Sequence, residues 1–92
     1  MHNTPEIRVY ASDEVKFKIV DGVKEVLSQR LPVIDIDGVR AIYPTGWGLV
    51  RASNTQGALV LRFEAETEEE LKAIKEDVEQ TIEDVIKKLD VE

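Results

Sequence analysis

The sequence predicts an α+β domain: a four-stranded, mostly antiparallel sheet with two helices on one face, in the order β-α-β-β-β-α. Three observations lead there. Apolar and polar residues alternate in four stretches, apolar residues recur at three- and four-residue spacing in two longer segments, and the last three strands are joined by connections too short to hold a crossover helix. Strands joined in that way run antiparallel, and helices gathered on one face leave the other face of the sheet bare.

Asn3-Thr4-Pro5 reads as an extended lead-in, and Glu6 to Ala11 alternates as the first strand. Ser12 or Asp13 is placed to cap the first helix, whose apolar stripe is Val15, Ile19, Val23, Val26 and Leu27, with Arg30 in its last turn and Pro32 as its stop. Gly22 in its middle costs about 1 kcal/mol relative to Ala, so this helix must rely on packing. Val33 to Tyr43 is β-branched and alternating, with a bend or bulge at Asp37-Gly38, and Pro44-Thr45-Gly46 turns the chain into a hairpin partner from Trp47 to Ala52. After a loop from Ser53 to Gly57, Ala58 to Ala65 forms a fourth, strongly apolar strand. Thr67-Glu68-Glu69-Glu70 is a capping box opening a long closing helix, with Leu71, Ile74, Val78, Ile82, Val85, Ile86 and Leu89 on one face and Lys87 and Lys88 near its end.

The 92 residues suffice for one domain with a single modest core. A net charge of -7 argues against nucleic acid as the main partner, because backbone phosphates demand a broad basic surface. The sequence has no Cys, which excludes disulfides and thiolate metal sites, and its only His, His2, reads as a bystander at a terminus where chains are usually disordered. No apolar run approaches the roughly 18 residues of a membrane span and no leader of signal-peptide type is present, so the expectation is a soluble, cytoplasmic protein without membrane contact. Ten acidic residues lie between Glu68 and Glu92, but Glu68 with Lys72, Glu83 with Lys87 and Asp84 with Lys88 make i,i+4 pairs of a solvated face. Spaced carboxylates with a metal-loop Gly, a phosphate-binding Walker pattern and a Gly-x-Ser-x-Gly elbow are all missing, so the reading assigns no catalytic residue and no metal ligand.

One segment stands apart from the acidic background. From Gly38 to Phe63 there is no Asp or Glu, and Arg40, Arg51 and Arg62 all fall within the window. Between two apolar strands, Arg51, Ser53, Asn54 and Thr55 bring together a guanidinium fork, two hydroxyls and an amide, followed by Gly57. That set can cradle a phosphate, since Arg pairs bidentately with its oxygens and a Gly-containing turn lets backbone N–H groups converge. Plain turn chemistry accounts for a Ser-Asn-Thr loop equally well. Trp47 and Tyr43 flank the neighbouring turn either as ligand-stacking rings or as hairpin packing, and Arg40 and Arg62 fit either a ligand or an outward strand position.

The string Gly46-Trp47-Gly48-Leu49-Val50-Arg51-Ala52-Ser53-Asn54-Thr55, followed by Leu59 to Ala65, closely resembles the C-terminal (fourth) domain of bacterial phosphomannomutase/phosphoglucomutase, within the phosphohexomutase superfamily. The resemblance runs over nearly the whole chain. Residues 1–5 look like the end of an interdomain linker, residues 1–92 like a single C-terminal domain, and Asp37-Gly38-Val39-Arg40 with Tyr43-Pro44 like the family's hairpin. It implies that Arg51, Ser53, Asn54 and Thr55 bind the phosphate of mannose or glucose phosphate. It further implies that the preceding domains of the same polypeptide supply the phosphoserine and the Mg²⁺ for interconverting hexose 1- and 6-phosphates, this chain itself holding no cofactor and catalysing nothing. The family commonly continues the loop with Glu-Pro or Thr-Pro, where this sequence has Gln56-Gly57. A stand-alone module that binds a phosphometabolite or docks on a protein through its bare sheet face is the alternative.

Overall fold

Alternation and turn chemistry produce one antiparallel sheet under two helices. The structure, a computed structural model, describes residues 2–89; Asp90 and Glu92 of the expected acidic series lie outside them. The elements are β1 (His2–Asn3), β2 (Ile7–Tyr10), α1 (Lys16–Ser28), β3 (Val33–Ile34), β4 (Val39–Tyr43), β5 (Gly46–Ala52), β6 (Ala58–Ala65) and α2 (Glu68–Leu89). Six strands form the sheet, not the four expected. Reading across it, β3, β4, β5 and β6 are neighbours, and β1 and β2 both pair with the far side of β6, so the first strands lie beside the last.

Two local causes account for the difference. Pro5 has no N–H to give a ladder, so the edge line along β6 breaks between β1 and β2. Thr4 bridges the gap, donating its N–H to the Phe63 carbonyl at 3.0 Å and accepting the Phe63 N–H on Oγ1 at 3.2 Å. His2, expected to be disordered, is an exposed β1 residue opposite Ala65. The second cause is the pair Asp37 and Gly38, at φ 58° and 121°. Two successive residues at positive φ turn the expected bend into a full reversal, and Val33–Ile34 folds back on β4 with Val33 opposite Ala41.

The helix caps also depart from expectation. Neither Ser12 nor Asp13 caps α1 with its side chain; the Ser12 carbonyl accepts the N–H groups of Val15 and Lys16 at 3.1 and 2.9 Å, and the helix begins one turn later than the pattern places it. Arg30 falls beyond the C-cap, Gln29, and grips Asp77 of α2 with two hydrogen bonds of 3.2 Å. On α2, Thr67 Oγ1 accepts the Glu70 N–H at 3.1 Å, but no return bond from Glu70 occurs among the described residues, and its Oε1 is buried without a partner. Among the described residues the i,i+4 ion pair on this helix is Lys75–Glu79 at 3.1 Å, with Gln80 bonded to Asp84, in place of the three pairs expected.

The core lies between the helices and one sheet face. Val50, Leu59, Leu61 and Phe63 from the sheet meet Ile19, Val23 and Leu27 from α1 and Ile74, Val78, Ile82 and Val85 from α2. A Cβ built on Gly22 would stand 2.6 Å from Val85 Cγ1, so the residue that weakens α1 is the one that lets α2 approach it. The register sets Arg8, Arg40, Trp47, Leu49, Arg51 and Arg62 on the opposite, uncovered face.

Candidate functional site

The loop from Ser53 to Gly57 joins β5 to β6, and its shape follows from a few hydrogen bonds. Ser53 is buried, and its hydroxyl accepts the N–H groups of Thr55 and Gln56 at 3.3 and 3.2 Å, an ST-turn. The Ser53 N–H donates to the Ala58 carbonyl at 2.9 Å, continuing the β5–β6 ladder into the loop, and the Ala11 N–H donates to the Gly57 carbonyl at 3.0 Å. Arg8 on β2 donates to Gln56 Oε1 at 2.7 Å. Asn54, Thr55 and Gln56 are left exposed at the tip.

Arg51 is the penultimate residue of β5 and lies on the uncovered face, opposite Val60, with its Nη2 3.8 Å from Glu6 Oε2. Gly38 makes room for it: a Cβ there would lie 2.6 Å from both Arg51 Cβ and the Val50 carbonyl oxygen. Of the four residues singled out by sequence, Arg51 and Asn54 share a cleft of about 450 Å³ with Phe17, Val20, Asp37, Gly38 and Ala52. Ser53 lies beneath the loop as its brace, and Thr55 stands at the exposed tip. A second cleft of about 410 Å³, lined by Ile34, Ile36, Asp37, Arg40, Leu49 and Arg51, lies on the other side of Arg51.

Trp47 sits on the uncovered face with the Arg40 guanidinium 4.5 Å from its ring centroid, packing across the β4–β5 hairpin. Tyr43 turns the other way and donates its hydroxyl to Asp77 at 2.7 Å. Burial, that hydrogen bond and the charge of Asp77 all raise its pKa above the ordinary value near 10, against the opposing effect of Arg30. Among the described residues no group of three or more His, Asp or Glu side chains is placed to hold a metal ion, and no helix is long and apolar enough to cross a membrane.

One residue of the site went unread in the sequence: Lys16. It occupies a helical position in series with Ile19, Val23 and Leu27, and it is as buried as they are. Its ammonium donates to the Ser53 carbonyl at 2.6 Å and the Gln56 carbonyl at 3.1 Å and pairs with Asp13 at 2.9 Å. The signal was present, a lysine in step with a core stripe.

Fold and site together define a two-layer α+β module that presents an Arg-x-Ser-Asn-Thr loop at one end of its sheet. Residues 4–81 match the model of the phosphoglucomutase/phosphomannomutase C-terminal domain. The chain therefore belongs to the phosphoglucomutase/phosphomannomutase family, as its C-terminal domain. It is 50% identical over 74 residues to a phosphomannomutase/phosphoglucomutase of Pseudomonas aeruginosa, covering 79% of this chain and 16% of that protein. A phosphoglucomutase of Neisseria meningitidis serogroup B is 37% identical over 84 residues, 88% of this chain and 18% of that one. The crystal structure of a phosphoglucomutase/phosphomannomutase family protein from Burkholderia thailandensis superposes with a TM-score of 0.76 at 32% identity, over 91% of this chain and 18% of that chain. The chain thus spans less than a fifth of the length of these relatives.

Proposed function

We propose that this chain is the substrate-anchoring domain of a phosphohexomutase, an isomerase that interconverts hexose 1- and 6-phosphates in the cytoplasm. Residues 1–92 form its C-terminal domain, with residues 1–5 the end of the linker from the preceding one. Arg51, Ser53, Asn54 and Thr55 bind the phosphate of mannose or glucose phosphate, while the preceding domains of the same polypeptide carry the phosphoryl-transfer chemistry. The observation that carries this reading is the cleft in which Arg51 and Asn54 meet beneath an exposed loop tip. Anchoring the non-reacting phosphate uses binding energy to orient the hexose at a distant reacting centre. The Mg²⁺ of such an enzyme would be held outside this chain, whose described residues offer no fitting cluster, so no step of its role runs through the ion.

Two measurements test the proposal. The isolated chain should convert no mannose 1-phosphate to the 6-phosphate, and any Mg²⁺-dependent turnover by it would overturn the non-catalytic assignment. Titration with inorganic phosphate should move the backbone amides of residues 51–57, weakly, because an open half-site offers few contacts against the entropy of association. Arg51→Ala should weaken that binding by on the order of tenfold or more, the worth of a charge-assisted hydrogen bond. Arg51→Lys should recover only part, lacking the bidentate fork. Shifts centred on α2, or unaltered in Arg51→Ala, contradict the site.

A further inference from the structure

We infer that Lys16 is a positioning residue for the phosphate loop, setting which way its backbone donors point. The inference rests on the phosphate reading above for its ligand, and on the loop geometry for everything else. The Lys16 ammonium draws two carbonyls inward, those of Ser53 and Gln56. A peptide unit is planar and trans, so a carbonyl and the following N–H point in opposite directions. Holding the Ser53 carbonyl inward turns the Asn54 N–H away from Lys16, and holding the Gln56 carbonyl inward does the same to the Gly57 N–H. Neither N–H donates to any group among the described residues, whereas the intervening Thr55 and Gln56 N–H groups are both taken by Ser53 Oγ.

The loop therefore has an inner set of bonded groups and two unspent donors facing away from the core, next to Asn54 and Thr55. Burial makes the anchor strong. Lys16 is 4% exposed, and its charge is compensated by Asp13 and two carbonyl dipoles at a depth where an unmet ammonium would be costly. The Gln56 carbonyl is also held by the Ala58 N–H at 2.9 Å, whereas among the described residues only Lys16 holds the Ser53 carbonyl, so the anchor acts most strongly on the Ser53–Asn54 peptide. Lys16 touches no phosphate in this arrangement; it acts through the loop and through the positive field it adds beneath it.

The experiment compares the parent chain with Lys16→Met, which keeps the stem and removes the ammonium, and with Lys16→Cys alkylated by 2-bromoethylamine, which restores an ammonium at nearly the same reach. Because the sequence has no Cys, that alkylation is specific. Val23→Ala, in the core of α1, controls for general loss of stability. Residual dipolar couplings report the orientation of the Asn54 and Gly57 N–H vectors, and inorganic phosphate is the titrant. Lys16→Met should reorient the Asn54 vector, and the Gly57 vector less because the Ala58 N–H still holds the Gln56 carbonyl, and should weaken phosphate binding by about tenfold; the aminoethylated variant should regain both orientation and binding, and Val23→Ala should alter neither. Unchanged couplings in Lys16→Met overturn the role of Lys16 whatever phosphate does. Couplings that change while phosphate affinity stays the same overturn its link to binding. No response of residues 51–57 to phosphate in the parent chain instead overturns the phosphate reading, with the couplings still deciding the role of Lys16.

Discussion

The two faces of the sheet are built from the same strands and held to different standards. On the helix-covered face Val50, Leu59, Leu61 and Phe63 are excluded from water, and even Gly48 is in contact: a Cβ there would meet Val78 at 3.0 Å and the Phe63 ring at 3.1 Å. One residue along each strand, the uncovered face carries Arg40, Trp47, Leu49, Arg51 and Arg62. Apart from Val60, which is buried between Arg8 and Arg51, side chains there keep contact with solvent and pair loosely, as Arg40 does with the Trp47 ring. Volume is therefore dictated on one face and only chemistry on the other, so substitutions in adjacent residues should differ several-fold in cost.

The widest gap should come from neighbours on β6. Phe63→Ala is expected to lose about 3–5 kcal/mol, transfer and cavity terms combined, whereas Arg62→Ala should stay within about 0.5 kcal/mol. Urea denaturation of the two variants checks it, and equal midpoints would erase the contrast. A smaller effect of opposite chemistry is expected on β5. Gly48→Ala adds a methyl group against Val78 and Phe63 and should cost about 1–3 kcal/mol by overpacking; a stabilised Gly48→Ala would mean that the covered face has slack.

The smallest effect lies at the rim where the covered face meets α2, and it is visible in pH. The Tyr43 hydroxyl bonds Asp77, and its folded-state pKa is raised above that of the unfolded chain. A group raised on folding contributes stability that is fully present below the unfolded value near 10 and lost as pH rises above it. Tyr43→Phe should cost about 1 kcal/mol at neutral pH and should make the alkaline fall in stability shallower. Parallel stability curves for the two proteins between neutral pH and the alkaline limb would remove Tyr43 from the account.

Much of this architecture is legible in the chain because the period of the pattern and the buried face coincide. Ala58 to Ala65 and the stripe from Ile74 to Val85 need no tertiary information. The misread elements were decided by single backbone facts. A missing N–H at Pro5 split the edge, and positive φ at two successive residues split the second strand, where Asp37-Gly38 alone is compatible with a bend, a bulge or a reversal. The side chains at Arg51, Ser53, Asn54 and Thr55 could be named from the sequence, but the inward role of the Ser53 hydroxyl could not, because an ST-turn and an outward donor use the same residue. Lys16 is not legible as a site residue because lysine is ordinarily a surface residue, and only the three oxygen partners brought to it by the fold make it at home inside.

The placement of β2 beside β6 also constrains the order of assembly. β4, β5 and β6 are joined by short turns and can pair as soon as they meet, while Ile7 must find Leu61 across more than half of the chain. Loop-closure entropy opposes that long-range contact until the meander and α2 have formed a surface to receive it. The edge strand is thus expected to dock late, after the rate-limiting step. In kinetic terms Val9→Ala on β2 should speed unfolding and leave the folding rate nearly unchanged, while Val50→Ala on β5 should slow folding. A Val9→Ala variant whose folding slows in proportion to its lost stability would place β2 in the nucleus instead.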